Sequence, residues 1–563
     1  MPRYFADWSR ILIALSFSCV ATTTFSAVPD TKPRPNVLVI VADDLGYSDI
    51  GAFGGEIDTP NLNDLANEGR VFSDFYVAPA CSPTRAQLFS GADHHLVGLG
   101  TMAENLPLTP GAKGKPGYEG ELNDKALSLP QILLDHGYHT YMTGKWHLGS
   151  SRANRPGARG FERSFALLDG AANHFNQDGA FIPPGQQQMP KAQYTENDQP
   201  TDLPKDFYSS DFYTSKMLSY LKERHDSDDE APFFAMLSYT APHWPLQAPT
   251  SYIEKYQGRY DSGYQAIRRA RLERMKALGL TDATDTVSSD EGLAASWRQL
   301  PDQERAREAR RMEIYAAMVD NMDHNIGRVI NYLESSGDLE NTVILFFSDN
   351  GADGTTGKGL FEPTFAYYDN TMKNMGTGTS YVMYGPHWAH VSSTPLRGTK
   401  TMTSEGGISS PLIISMPGVD GDGAPNRSVI NVMDVLPTIL DIARIPVPGG
   451  KYNGRDVITP MGRSWLPMIS GDIDIMPEQD HAVGWELFSR RGIRQGDWKM
   501  LWIDPPNGTG QWQLYDLNAD RGETRDLYKE NPKVAKRLKK EWDNYVERVG
   551  VQLNPYPWPE FIR

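Results

Sequence analysis

Two continuous apolar runs, Asn36 to Ala42 and Thr342 to Ser348, end directly on acidic residues: Asp43-Asp44 after the first, Asp349-Asn350-Gly351 after the second. Such runs, without polar alternation, read as strands buried on both faces. Phe233 to Tyr239 and Leu412 to Met416 have the same character. Helical patterns lie between them at Thr59 to Glu68, Leu129 to His136 and Met312 to Glu334. In the last, Ile314, Met318, Met322, Ile326, Val329 and Tyr332 recur at helical spacing. The alternation predicts an α/β fold, a large mixed but mostly parallel sheet sandwiched by helices. Ligands of such sheets bind at the carboxyl ends of the strands, so both acidic clusters are expected to face one crevice. Asp43, Asp44, Asp349 and the amide of Asn350 make an all-oxygen set that suits Ca²⁺ or Mg²⁺ and not zinc. Acidic residues after strands also cap helices. Two clusters at equivalent strand ends favour the metal.

The chain of 563 residues carries a formal net charge of −16. That argues against nucleic-acid or anionic-membrane binding, both of which want a basic face. An anionic substrate then needs a locally basic pocket. At the N-terminus Arg3 and Arg10 precede the apolar run Ile11 to Val20, and small residues follow through Ala27. The run is too short to span a bilayer, and residues 1–27 read as a secretory signal, predicting a periplasmic or secreted protein. Without that segment, Cys81 is the remaining one of two cysteines and no internal disulfide can form. In an exported protein, a lone cysteine is either a small buried apolar residue or chemically special.

Three regions interrupt the pattern. Residues 173–204 read as a long loop, 251–310 as a charged helical insertion, and 351–393 as a Gly-, Tyr- and Asn-rich stretch with little periodicity. Loops of such length are usually functional lids or disordered. The character shifts near Pro446-Val447-Pro448-Gly449-Gly450, dividing a main domain, 34–445, from a small C-terminal α+β domain, 446–563. The latter holds strand-like Trp498 to Ile503 and Trp512 to Leu517. It ends in an amphipathic helix with Pro532 in its first turn and Val534, Leu538, Trp542 and either Tyr545 or Val546 on one face.

Cys81-Ser82-Pro83-Thr84-Arg85 precedes Ala86 to Ser90 and Gly91. Pro83 fits a first helical turn and Gly91 a C-terminal stop, so Cys81 is expected at a helix N-terminus, where free N–H groups favour an anion. On physics alone a low-pKa thiolate nucleophile is one reading of this position, beside a small buried apolar residue. The pentapeptide also resembles the signature of type I sulfatases, in which that cysteine is oxidised to formylglycine by a maturation enzyme. Further blocks resemble that family in its order: Ala42 to Gly46, Thr143 to Gly149, Ala241-Pro242-His243, Ser348 to Gly351, and Lys400 with Glu405-Gly406-Gly407. Trp512 to Leu517 is similar to the family's small domain, and the resemblance, nearest to bacterial arylsulfatases, runs from about Arg34 to the end.

The resemblance implies an alkaline-phosphatase-like core and the following roles. Asp43, Asp44, Asp349 and Asn350 would hold Ca²⁺, with formylglycine (3-oxoalanine) at Cys81 completing the set. Arg85 would anchor the formylglycine hydroxyl. Lys145 and Lys400 would grip sulfate oxygens, placing positive charge where the transition state develops negative charge. A hydrated aldehyde would attack sulfur through one hydroxyl, giving a covalent sulfo-enzyme, and expel sulfate through the other. His147 is assigned the base of that second step; His243 and Lys400 are candidates to protonate the departing alcohol. The expected substrate is a small-molecule sulfate ester, aryl by nearest resemblance, with carbohydrate or alkyl sulfates, or phosphate and phosphonate monoesters, as alternatives. A catalytically silent sulfate-ester binder would need only unmodified Cys81. His94, His95, His174, His387 and His390 are expected to be structural or at the surface, the last three in loops that could rim the leaving-group pocket. The sequence leaves oligomeric state open.

Overall fold

The computed structural model describes residues 33–553, except 184, 228, 283–289, 420, 422, 475 and 477–481. The expected signal, 1–27, lies outside them. From Arg34 onward the chain forms one compact unit.

Ten strands make the main sheet: β1 Asn36–Asp43, β2 Arg70–Tyr76, β3 His139–Lys145, β4 Arg163–Leu167, β5 Tyr194–Glu196, β6 Gln199–Pro200, β7 Phe233–Pro242, β8 Thr342–Ser348, β9 Ser409–Ser415 and β10 Ile430–Asn431. Their spatial order is β10-β2-β9-β8-β1-β7-β3-β4-β5-β6. The central run β8-β1-β7-β3-β4 is parallel throughout, while β9, β5 and β6 run antiparallel to their neighbours. The continuous apolar runs are explained by two cores. Leu38, Ile40, Ile344 and Phe346 fill one, and Val37, Val39, Val343, Leu345 and Phe347 the other, as alternating side chains of a central strand must. Ile314, Met318, Met322, Ile326 and Val329 bury one stripe of the Asp302–Ser336 helix in the first core.

That helix starts ten residues before the expected Met312, because its first turns carry polar pairs such as Arg307–Glu304 and Arg311–Glu308. Those give no apolar period. The described part of the 251–310 segment is largely helical as expected, and one of its charges turns inward: Arg271 is fully buried against Asp49 and Glu56. Residues 173–204 are not all loop, since β5 and β6 extend the sheet edge there. Residues 351–393 contain the helices Glu362–Tyr367 and Gly385–Ser392.

A separate four-stranded antiparallel sheet follows, Val483–Leu487, Arg490–Gln495, Trp498–Trp502 and Trp512–Asp516. The Pro532–Val549 helix packs Ala535, Leu538, Trp542 and Tyr545 against its Ile493, Met500 and Leu514. The shift near residue 446 does not coincide with a change of core. Val457, Trp465, Met468 and Ile469 still pack in the second core of the main sheet.

Candidate active site

Parallel register brings four strand ends to one level. Asp43 stands opposite Pro242, Ala42 opposite Ser348, and Gly144 opposite Ser238. Asp43, Lys145, His243 and Asp349 therefore emerge side by side at the carboxyl edge, as the strand-end rule requires. The Cys81–Ser90 helix starts there with Cys81 as its first residue, and Gly91, left-handed at φ 64°, closes it. A hydrogen bond from Ala78 N–H to Thr84 Oγ1, 2.9 Å, fixes its start.

The predicted residues converge, all buried except Lys400, which is half-buried. Cys81 Sγ lies 3.4 Å from Asp43 Oδ1 and 3.8 Å from Asp44 Oδ1. Lys145 Nζ donates to Asp43 Oδ2 at 2.7 Å, and Lys400 Nζ pairs with Asp44 Oδ1 at 2.8 Å. His243 Nε2 is 3.3 Å from Asp44 Oδ2 and 3.4 Å from Lys400 Nζ. Asn350 Nδ2 donates to Asp44 Oδ1 at 2.7 Å. Arg85 ties the strand ends together: Nε donates to Asp349 Oδ2 at 2.9 Å, and Nη1 to the Lys145 carbonyl at 2.7 Å and to Ser238 Oγ at 2.6 Å. Asp44 and His147 hold left-handed backbones, φ 65° and 55°, a strain that persists where surrounding structure fixes it. His147 Nε2 faces Glu104 Oε2 at 3.3 Å, and its Nδ1 is buried without a hydrogen-bond partner.

The cluster's carboxylates are crowded and cut off from water. Burial pushes Asp44 well above the usual carboxylate range, with Lys400 opposing and Asp43 adding to the rise; burial likewise raises Asp43 against the pull of Lys145. Asp349 is the exception, since Arg85, Lys145 and Lys400 outweigh its burial and hold it low. The Asn350 Oδ1 oxygen is buried and unpartnered. Ligand atoms of Asp43, Asp44, Cys81 and His243 lie within 4.8 Å of one another. An orphan amide oxygen among crowded carboxylates fits a hard divalent cation, which would satisfy the one and neutralise the others. The expected thiolate, in contrast, is not what this helix terminus makes. Burial, then Asp349, pushes the Cys81 thiol well up, outweighing the favourable lysines.

Sequence reasoning missed several members. Asp353 Oδ2 sits 3.5 Å from Lys400 Nζ, and Ser238 receives Arg85. His174 lies buried behind His243, its Nε2 3.0 Å from the His243 carbonyl and its Nδ1 2.7 Å from Ser209 Oγ; burial lowers it to about 4, so it is neutral at pH 7. His387 stacks on Tyr264 of the 251–310 segment. The Lys400 loop is held by the small domain: Arg490 Nη1 donates to Thr401 Oγ1 at 2.6 Å, and Lys499 pairs with Glu405 at 2.7 Å. A cleft of about 750 Å³, lined by Glu56, Asp58, Asn61, Lys255 and Arg259, contains none of the predicted site residues.

Fold and cluster define the class first: an α/β enzyme whose strand ends offer oxygen ligands for a hard cation beside two lysines. The sulfatase family model matches residues 35–445. An uncharacterized sulfatase of Schizosaccharomyces pombe is 43% identical over 535 residues, covering 93% of this chain and 95% of that protein. An arylsulfatase of Klebsiella aerogenes is 40% identical over 418 residues, 74% of this chain and 88% of that one. The crystal structure of Ps i-CgsB superimposes at a TM-score of 0.64 with 22% identity, covering 93% and 94% of the two chains. The chain belongs to the sulfatase family and is a sulfuric ester hydrolase with the alkaline-phosphatase-like fold.

Proposed function

We propose that the protein hydrolyses aryl sulfates with a formylglycine made from Cys81 and with Ca²⁺ held by Asp43, Asp44, Asp349 and Asn350. The observation that carries this reading is the convergence of Lys145, Lys400 and His243 on Asp43 and Asp44 beside Cys81, at a buried helix N-terminus. The aryl preference is supported by the 40% identity to an arylsulfatase. Bound there, Ca²⁺ supplies fixed charge for sulfate oxygens, and a formylglycine hydrate supplies one oxygen to attack sulfur and a second through which sulfate is expelled.

The chain's own residues do the rest. Lys145 and Lys400 change partner: with a cation neutralising Asp43 and Asp44, their ammonium groups are freed to hold sulfate oxygens. Arg85, locked to Asp349, Ser238 and the Lys145 carbonyl, orients the helix start that carries position 81. Burial, then Lys400 and Lys145, holds His243 well below its ordinary value. His243 Nε2 and Lys400 Nζ, 3.4 Å apart, are the two candidates to protonate the departing oxygen. His147 takes the proton whose loss releases sulfate. Processing of residues 1–27, export, and a maturation enzyme acting on Cys81 belong to the same reading.

Two measurements test it. The mass of the peptide spanning position 81 should fall by the cysteine-to-formylglycine difference, and 4-nitrophenyl sulfate should be turned over faster than 4-nitrophenyl phosphate. An unmodified cysteine in active enzyme contradicts the mechanism. A faster phosphate ester contradicts the substrate.

A further inference from the structure

An aromatic wall stands beside His243. The Trp244 ring lies 4.3 Å from the His243 ring, centroid to centroid. Its Nε1–H donates to Asp353 Oδ2 at 2.7 Å, the carboxylate that faces Lys400, so the indole is fixed at the edge of the cluster. Phe361 meets it edge-on at 5.1 Å and Tyr381 at 6.1 Å, and Phe181 packs on Phe361 at 5.3 Å. Phe361 and Tyr381 are buried, while Trp244 and Phe181 are half-buried and reach the surface. Phe181 comes from the 173–204 segment and Phe361 and Tyr381 from 351–393, so the two least regular stretches of the sequence meet next to the candidate proton donors.

The wall's polar handles are already spent. Trp244 Nε1 is held by Asp353; Tyr368, behind it, donates its hydroxyl to Asp178 Oδ2 at 2.8 Å, and Tyr381 donates to the Ala180 carbonyl. Against these rings a sugar's hydroxyls would lose water without gaining partners, the nearby Asp353 being already engaged by Trp244, Thr355 and Lys400, and an unpaired polar group is expensive to desolvate. A flat ring needs only faces and edges at stacking distance, which the wall offers. Asp353 adds a carboxylate on the same side, opposing leaving groups that bear further negative charge.

We propose that this wall is the leaving-group subsite, that it selects uncharged aryl sulfates over sugar sulfates, and that Phe361 and Phe181 determine that specificity together with Trp244. The inference rests on the sulfate-ester chemistry proposed above. Its test uses the matured full chain and its Phe361→Leu and Phe181→Ala variants, with kcat/KM measured on 2-naphthyl sulfate, ethyl sulfate and glucosamine 6-sulfate. The wild type should prefer the naphthyl ester to the sugar ester. Each variant should lose up to about ten-fold on the naphthyl ester, chiefly in KM, and less than about two-fold on ethyl sulfate. Ethyl sulfate turnover reports that a variant is folded, and Phe181→Ala, near the surface, serves if Phe361→Leu does not fold. Equal losses on both esters, or a wild type that prefers the sugar ester, overturn the subsite while leaving the sulfatase reading intact. A matured wild type that turns over none of the three overturns the reading beneath it.

Discussion

Two of the buried charge clusters among the described residues are built to opposite ends. At the strand ends, Asp43 and Asp44 are pushed toward protonation by burial, and Asn350 Oδ1 has no partner. The other cluster joins the main domain to the small one. His95 Nδ1 pairs with Asp93 Oδ1 at 2.7 Å and Nε2 with Glu486 Oε2 at 3.0 Å, while the Tyr545 hydroxyl donates to Asp93 Oδ2 at 2.9 Å. There burial is overcome: Asp93 falls well below its ordinary value because His95 faces it, and His95 rises to about 9 because Asp93 and Glu486 face it. His94, ring-stacked on His95, is driven by burial and by its neighbour's charge down to about 3. One cluster is closed and structural. The other is left open, as a site that must take up a cation and an anion has to be.

Opening the site further should hurt chemistry and spare the fold. Asp349→Ala removes one carboxylate of the open cluster and releases Arg85. Turnover should fall by about 10²–10³-fold or more, with a cooperative unfolding transition retained at a lowered midpoint, since buried Arg85 loses its partner, and less metal bound by elemental analysis. Chelation of the wild type should act in the same direction. An unchanged rate in protein shown to be metal-free would erase the distinction between the clusters.

Breaking the closed cluster should do the reverse. His95→Gln leaves Asp93 and Glu486 facing each other without the charge between them, and removing one partner of a buried pair costs about 3–5 kcal/mol. The denaturant midpoint should drop while kcat of the folded fraction holds. The wild type should show a related pH trend. His95 is raised in the fold to about 9, so its stabilisation is complete below its unfolded value of 6.5 and is lost as pH rises through 9. The 2.5-unit difference corresponds to roughly 3 kcal/mol. Urea midpoints measured from pH 6 to 10 should fall across that window, and His95→Gln should flatten the fall. A variant with the same slope would move the titration elsewhere.

The open cluster was legible where chemistry sits at an element boundary. Asp43 and Asp349 follow apolar runs, and Cys81 to Arg85 open a helix, so local sequence alone places them. Asp353 and Ser238 were not legible, because each is an isolated polar residue whose role comes from a partner far along the chain, Lys400 and Arg85; for His174 the structural expectation held, but its contact with the His243 carbonyl was not readable. The state of Cys81 was misjudged for a related reason. A helix N-terminus is visible in sequence, but the burial that outweighs it is not. The C-terminal helix was readable from its apolar stripe, whereas β5 and β6, five residues of edge strand, carry no period to read. The closed cluster escaped too: His95 needs Glu486, 391 residues away.

The central claim is that position 81 acts through two oxygens on one carbon, and single-oxygen variants test it most directly. Cys81→Ser keeps one hydroxyl beside Asp43, Asp44 and the helix N-terminus. Mixed with excess 4-nitrophenyl sulfate, it should release at most one equivalent of phenol and gain one SO₃ group at position 81, read by peptide mass spectrometry. Cys81→Ala should do neither. Sustained turnover by the Cys81→Ser variant would show that sulfate leaves by ordinary hydrolysis, and the account of this site would be wrong.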